Sequence, residues 1–280
     1  AGHRLAGGPA DLAFASLKFP DRNGKQTKSK RKANEKQTGS ASAARPVPSG
    51  MPERRKRRRN LEYSSEERAC IWLDSFPLDK GAERRLLEGA GSAAALVRRF
   101  PEFREIVVKS AGESVYNNML ASLSDGGEYF RKTAAELEGE GIRAVTRASR
   151  DYPEALKKYS DSPPVLYAKG DVSLLGSRLF TVVGSRRTPP AALRLCERVC
   201  EELSSGFTLL SGTAEGGDSA ALSGALRGSG RVIAVPAGGF SHLPRGNAEL
   251  LRRVAERGLL LSAHTFRESV RPFSYAERNK

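Results

Sequence analysis

Cysteine is scarce: three residues, Cys70, Cys196 and Cys200, in a chain of 280. An odd, sparse set cannot build a disulfide framework and fits a reducing compartment. Cys196 and Cys200 stand four apart on an expected helix with no other Cys or His near in sequence. They read as small buried apolar residues rather than metal ligands. No apolar run approaches the ~18 residues that cross a bilayer. The first residues lack the apolar core and cleavage pattern of a secretion signal. No internal repeat is present. These absences point away from a membrane protein and a secreted scaffold, towards a cytoplasmic chain.

Enzyme signatures are missing too. There is no G-x-x-x-x-G-K-[ST] for a P-loop nucleotidase and no G-x-G-x-x-G for a dinucleotide binder. Neither G-x-S-x-G nor H-E-x-x-H occurs. The three histidines, His3, His242 and His264, have no evident nucleophile beside them. The expectation is a protein that is not an enzyme and needs no metal or cofactor.

What the chain has in excess is positive charge, a net of +15, but the excess is local. Residues 1–60 hold 16 Lys/Arg against 4 Asp/Glu, whereas the other 220 hold 31 against 28. A high isoelectric point therefore describes a tail and says nothing by itself about nucleic acid. This tail is rich in Gly, Ser and Pro and loses hydrophobic periodicity after Phe19. It reads as disordered, because it buries too little apolar surface to offset chain entropy. The chain begins with Ala1, and Met51 reads as the natural start. The cluster Arg54, Arg55, Lys56, Arg57, Arg58, Arg59 reads as a solvated charge run, with a nucleic-acid clamp as the alternative.

Residues 61–147 read as a small helical domain. Ser64-Ser65-Glu66-Glu67 resembles a helix start, with Ala69, Ile71, Trp72 and Leu73 following. Two short helices, Gly81 to Leu87 and Ser92 to Phe100, meet at Gly89-Ala90-Gly91. Such a pair is ordinarily a packing module, although its turn amides can grip a DNA backbone. A helix from Glu128 to Glu140 stops at Gly141, and Ile142–Thr146 reads as a short strand.

From Phe180 the rhythm becomes strand, loop, helix. The strands are Phe180–Val183, Phe207–Leu210, Val232–Val235 and Leu259–Ser262. Near-continuous apolar runs with helices between them imply a parallel sheet buried on both faces. Small residues and glycine follow the first three strands, at the carboxyl ends where open α/β sheets bind ligands. Loops entering helices there expose free N–H groups and the positive end of the helix dipole, a setting for phosphate. Gly184 permits close approach, Ser185 offers a hydroxyl and Arg186 a two-pronged guanidinium. Ser211, Gly212, Gly216 and Gly217 form a second turn, and Gly239 ends the third. Asp218 reads as the cap of the following helix. One such loop is weak evidence, since glycine turns often serve packing alone; three in register make a phosphate crevice.

Five segments in order also resemble the DNA-processing protein A (DprA/Smf) family, over about residues 62–280. Tyr152-Pro153-Glu154-Ala155-Leu156 with Ser162–Gly170 is similar to the family's lead-in. Val182-Val183-Gly184-Ser185-Arg186 is similar to its VGSR loop, and Ser211–Asp218 to its SGxAxGxD loop. Pro244-Arg245-Gly246-Asn247 with Leu250 resembles its YPxxNxxL segment. Phe273 with Arg278-Asn279-Lys280 resembles its FPxRNR segment, with extra residues between. The resemblance implies an α/β fold: a Rossmann-like parallel sheet, incomplete, spanning 148–280, after a SAM-like helical domain and a disordered basic tail. It implies a single-stranded DNA binder that helps load RecA recombinase in DNA uptake, competence and natural transformation, and a homodimer when full length. Gly184, Ser185 and Arg186 would then hold backbone phosphate. Arg245 would stand for a basic residue contacting DNA, and Asn247, Arg278 and Asn279 would support the crevice. Phe240 is a candidate to stack a base, with core packing as its equal alternative.

Departures from the family pattern are specific. Leu222 stands where histidine is usual, Leu243 for tyrosine, Ala263 for glutamate and Lys280 for arginine. The family's later strands and helices are expected beyond Lys280. Two other functions compete. One is an enzyme related to nucleoside-monophosphate phosphoribohydrolases, whose catalytic glutamate motif would lie past residue 280. The other is an inactive copy serving only as a protein scaffold.

Overall fold

The computed structural model describes residues 63–280. The basic tail assigned to 1–60, with Met51 and the arginine cluster, lies outside the described residues.

The helical segment begins where its capping box places it. Helix α1 spans Ser65–Asp74; the Ser64 hydroxyl accepts the Glu67 N–H, and the Glu67 carboxylate accepts the Ser64 N–H at 2.8 Å. Helices α2 (Lys80–Ala90) and α3 (Ala93–Arg98) meet at Gly91, whose φ of 80° is the left-handed geometry glycine supplies without strain. The turn amides have an internal use. Glu66 on α1 accepts the N–H groups of Ala93 and Ala94 at 2.8 and 2.9 Å, so the start of α3 already holds a carboxylate. After a 3₁₀ turn at Phe100–Phe103 come α4 (Arg104–Ala111), α5 (Glu113–Leu123) and α6 (Glu128–Gly139). Trp72 packs edge-on to Phe100 and donates its indole N–H to Ser122 at 2.8 Å, satisfying the one polar atom of a buried ring.

A six-stranded sheet follows, in the spatial order β1-β2-β6-β5-β4-β3. The strands are β1 (Arg143–Thr146), β2 (Val165–Gly170), β3 (Leu179–Thr181), β4 (Thr208–Ser211), β5 (Val232–Ala234) and β6 (Leu259–Ser262). Strands β3 to β6 pair in parallel, while β2 runs antiparallel to β6 and β1 antiparallel to β2. The short α7 (Glu154–Lys157) lies between β1 and β2. Helices α8 (Pro190–Leu203), α9 (Gly217–Arg227) and α10 (Ala248–Arg257) make the connections of the parallel part, and α11 (Ser274–Asn279) comes last.

Two features of the sheet differ from the sequence reading. The run Val165–Gly170, taken there only as a lead-in, is a strand joining both halves of the sheet. And β3 is not buried on both faces. It pairs only with β4, so Leu179 and Phe180 remain 44% and 41% exposed. By contrast, every residue of β5 and β6 is buried.

The helices and the sheet share one apolar cluster, running from Trp72, Leu86 and Phe100 through Ala144 and Tyr167 to Leu222 and Leu260. The strand Arg143–Thr146, grouped with the helices on sequence, is an edge of this same sheet. Polar contacts reinforce the junction. Tyr63 accepts the Ala144 N–H through its hydroxyl at 3.1 Å, and the Tyr167 hydroxyl donates to Asp74 at 2.7 Å. Asp74 and Glu83 are both buried and share the Lys80 ammonium, at 3.4 and 3.2 Å. Burial pushes the Glu83 carboxyl up to about 7, against the opposing pull of Lys80, and raises Asp74 as well.

Candidate nucleic-acid interface

The loops after β3, β4 and β5 converge on a crevice of about 360 Å³. Its wall includes Arg186 from the first loop, Thr213 and Glu215 from the second, Pro236 from the third, and Tyr275 and Arg278 from α11. His242 and Pro244 border it as well.

The glycines serve contact between loops. A Cβ on Gly184 would fall against the Gly217 backbone, and one on Gly216, whose φ is 88°, against the Ser185 and Arg186 carbonyls. A Cβ on Gly212 would collide with both the Arg278 guanidinium and the Asp218 carboxylate. These loops need glycine because backbone and charged groups pass where a side chain would stand.

Asp218 does not cap its helix as the sequence reading had it. Gly216 holds the cap position, with no side-chain bond, and Asp218 lies inside the first turn of α9. Buried there, its carboxylate accepts the Gly184 N–H at 3.1 Å and the Ala214 N–H at 3.4 Å. The protein's own carboxylate therefore takes two of the loop amides expected for phosphate, those of Gly184 and Ala214. Gly184 is a close-approach residue and not an open donor.

Four other expected site residues are likewise engaged internally. The buried Ser211 donates its hydroxyl to the Val182 carbonyl at 2.7 Å, pinning β4 to the end of β3. Gly239 donates its N–H to the Glu268 carbonyl at 2.8 Å, with the Thr265 and Phe266 carbonyls packed where a Cβ would be. Phe240 is buried in the core, so the packing alternative holds for it and stacking does not. Asn247 is also buried and donates to the Thr213 carbonyl at 3.0 Å, supporting the second loop from behind.

What remains open to a ligand is cationic. Arg186 is exposed at the crevice mouth. Its Nη2 donates to the Tyr275 hydroxyl at 3.2 Å, and its guanidinium carbon lies 5.5 Å from the ring centre. Ser185 accepts the Arg187 N–H, which leaves its own O–H free to donate. Arg278 donates to the Val235 carbonyl and to the Asn279 side chain, both at 2.9 Å, so its guanidinium is fixed in the floor. Arg245, beside Pro244, is exposed, and its side chain makes no ion pair or hydrogen bond among the described residues. Glu215 is the one carboxylate among the lining residues, set where Gly246 leaves room for it. Two arginines against one glutamate leave the lining net positive, and Arg245 follows the lining residue Pro244 in the chain.

The sequence reading missed Tyr275, His242 and Glu215. Tyr275 stands three residues before Arg278, the spacing of the aromatic in the FPxRNR pattern, and matching that aromatic to Phe273 passes over it. Three substituted positions explain themselves by packing: Leu222 is fully buried, and Leu243 and Ala263 pack against the two apolar clusters.

A mostly parallel α/β sheet thus carries an arginine-lined crevice over its strand ends, the place where open sheets of this class hold ligands. Residues 143–280 match the profile of the family described as DNA recombination-mediator protein A, and this part of the chain belongs to that family. It is 32% identical over 152 residues to the DNA processing protein DprA of Bacillus subtilis, covering 53% of this chain and 51% of that one. With the DprA of Streptococcus pneumoniae the identity is 32% over 155 residues, covering 54% and 55%. With the Smf protein of Synechocystis it is 34% over 158 residues, covering 52% and 38%. The chain thus spans about half the length of the first two relatives. The fold resembles the X-ray structure of DprA from Streptococcus pneumoniae, with a TM-score of 0.62 over 78% of this chain and 74% of that one, at 23% identity.

Proposed function

We propose that this chain is a single-stranded DNA-binding recombination mediator that grips the strand in the crevice formed by Arg186, Arg278 and the rim residue Arg245. The observation that carries the reading is the exposed Arg186 guanidinium set against the Tyr275 ring over the strand ends. Single strands are held by a cationic groove together with aromatic faces, without readout of sequence. The curated relatives it resembles are named as DNA processing proteins, which supports the same assignment. No catalytic step is assigned. Loading of RecA recombinase, a role in competence and natural transformation, assembly as a homodimer and a cytoplasmic setting belong to this proposal through the family resemblance. Among the described residues no helix is long and apolar enough to cross a membrane.

The test is oligonucleotide binding by the whole chain, the chain without residues 1–60, and the double variant Arg186→Ala with Arg245→Ala. The reading expects the double variant to bind mixed-sequence single strands far more weakly, while the shortened chain keeps most of its affinity. If removing 1–60 abolished binding and the double substitution left it intact, the basic tail would be the binder instead of the crevice.

A further inference from the structure

The third crevice loop, residues 235–239, is held at both ends by groups outside it. The Arg278 guanidinium donates to the Val235 carbonyl, and the Gly239 N–H donates to the main-chain carbonyl of Glu268 at 2.8 Å. Glu268 belongs to the connection between β6 and α11, residues 263–273. This connection lies close against the loop. A Cβ on Gly238 would stand 2.9 Å from a Val270 methyl, and one on Gly239 would strike the Thr265 and Phe266 carbonyls. Val270 itself lines the crevice beside Pro236 and Ala237. The connection is also fixed from behind. The Glu268 N–H donates to the Thr265 carbonyl at 3.0 Å, closing a turn, and the Glu268 carboxylate meets Nδ1 of the buried His264 at 3.1 Å. That bond holds the Glu268 carboxyl below the usual carboxylate range against burial, with the charges of His264, Lys80 of α2 and Arg271 acting the same way. Arg267 pairs with Glu136 of α6 at 2.7 Å, although both are exposed and such a pair contributes little strength.

We propose that Glu268 is a positioning residue for the crevice: its carboxylate, anchored on His264, fixes the main-chain carbonyl that holds the third loop, and through that loop the Val235 carbonyl on which Arg278 rests. This rests on the single-strand reading above. Glu268 does not line the crevice, so it acts through the loop and not by touching the strand. Its charge and its anchor work in opposite directions. A carboxylate near a polyanion repels it, so removing the charge alone strengthens binding. Removing the anchor weakens binding, because the third loop and Arg278 lose their fixed place. The sign of the effect separates the two.

The test uses the full chain and a mixed-sequence DNA single strand, at a temperature where denaturation curves show each variant folded. Glu268→Ala removes the anchor and is expected to weaken binding about tenfold, the size of a coupling between separate sites. Glu268→Gln removes the charge but keeps an oxygen that accepts from His264, and is expected to bind within about twofold of the wild type. Hydrogen exchange at Gly239 reads the loop directly. Its amide is expected to exchange about tenfold faster in Glu268→Ala and to stay protected in Glu268→Gln. Should the alanine variant not fold, Glu268→Asp takes its place; it keeps the charge, draws the carboxylate back from His264 and carries the same expected losses. Unchanged or tighter binding in Glu268→Ala would overturn the proposal and leave the carboxylate a structural or repulsive group. So would an equal loss in Glu268→Gln, which would give the effect to the charge, and so would a Gly239 amide as protected as in the wild type. A wild-type chain that binds no single strand overturns the single-strand reading and this role with it. A wild type and a Glu268→Ala variant that bind equally well overturn the positioning alone.

Discussion

The Asp218 carboxylate accepts the main-chain N–H of Gly184 at 3.1 Å, tying the loop after β3 to the first turn of α9. Its other oxygen accepts the Ala214 N–H, so one buried side chain fastens two of the loops that shape the crevice. The expected result for Asp218→Ala is a loss of about 1–3 kcal/mol in urea denaturation, the cost of stranding buried amides. Asp218→Asn keeps an oxygen for one amide and loses less. A change under about 0.5 kcal/mol for the alanine variant would mean that water replaces the carboxylate and the strap is dispensable.

Gly184→Ala tests the close approach of the same loops. The added methyl meets the Gly217 backbone, which cannot step aside as a flexible side chain would. Destabilisation of about 1–3 kcal/mol or more is expected by thermal or chemical denaturation. A phosphate-contact role alone would leave the fold untouched and weaken only DNA binding.

Phe240→Ala separates core from interface. As a buried aromatic it should cost about 3–5 kcal/mol of stability. The fraction that stays folded at low temperature should bind oligonucleotides as the wild type does. Weakened binding with unchanged stability would return Phe240 to the crevice.

The buried cluster of Asp74, Lys80 and Glu83 has a pH signature. Burial raises the folded Glu83 carboxyl from the 4.5 of a free side chain to about 7. Between those values the folded chain holds a proton that the unfolded chain has given up. Its contribution to stability is therefore complete below about pH 4.5 and lost as pH rises through about 7, a change on the order of 2–3 kcal/mol. Denaturation midpoints of the wild type and Glu83→Gln across this range should diverge, with the slope flattened in the variant. Parallel profiles would show that Glu83 does not hold the proton.

Much of the architecture was legible in the residues. The runs after Gly206 and before Pro236 mark strands whose ends the structure shifts by one residue, and Leu259–Ser262 and the helix Ala248–Arg257 stand as read. These elements are buried, or have one strongly apolar face, and burial is what hydrophobic pattern reports. Val165–Gly170 escaped as a strand because proline and a short apolar run gave no period to count. The glycines were read as openings for phosphate, and their actual neighbours are invisible in sequence. Gly184 meets Gly217, and Gly212 makes room for Arg278, pairs set by tertiary contact. Arg186 was readable from its motif. Tyr275 was passed over because the aromatic of the FPxRNR pattern was matched to Phe273, and its contact with Arg186 spans 89 residues of chain.

The claim on which the functional account depends is that Arg186 and Arg245 neutralise strand phosphates. The direct measurement is the affinity of the full chain for a mixed-sequence single strand over a series of salt concentrations. Each phosphate neutralised on a single strand adds about 0.7 to the slope of log affinity against log salt. Arg186→Ala with Arg245→Ala is predicted to bind more weakly and to flatten that slope by about 1.4. An unchanged slope and unchanged affinity in the double variant would contradict the crevice as the DNA-binding site.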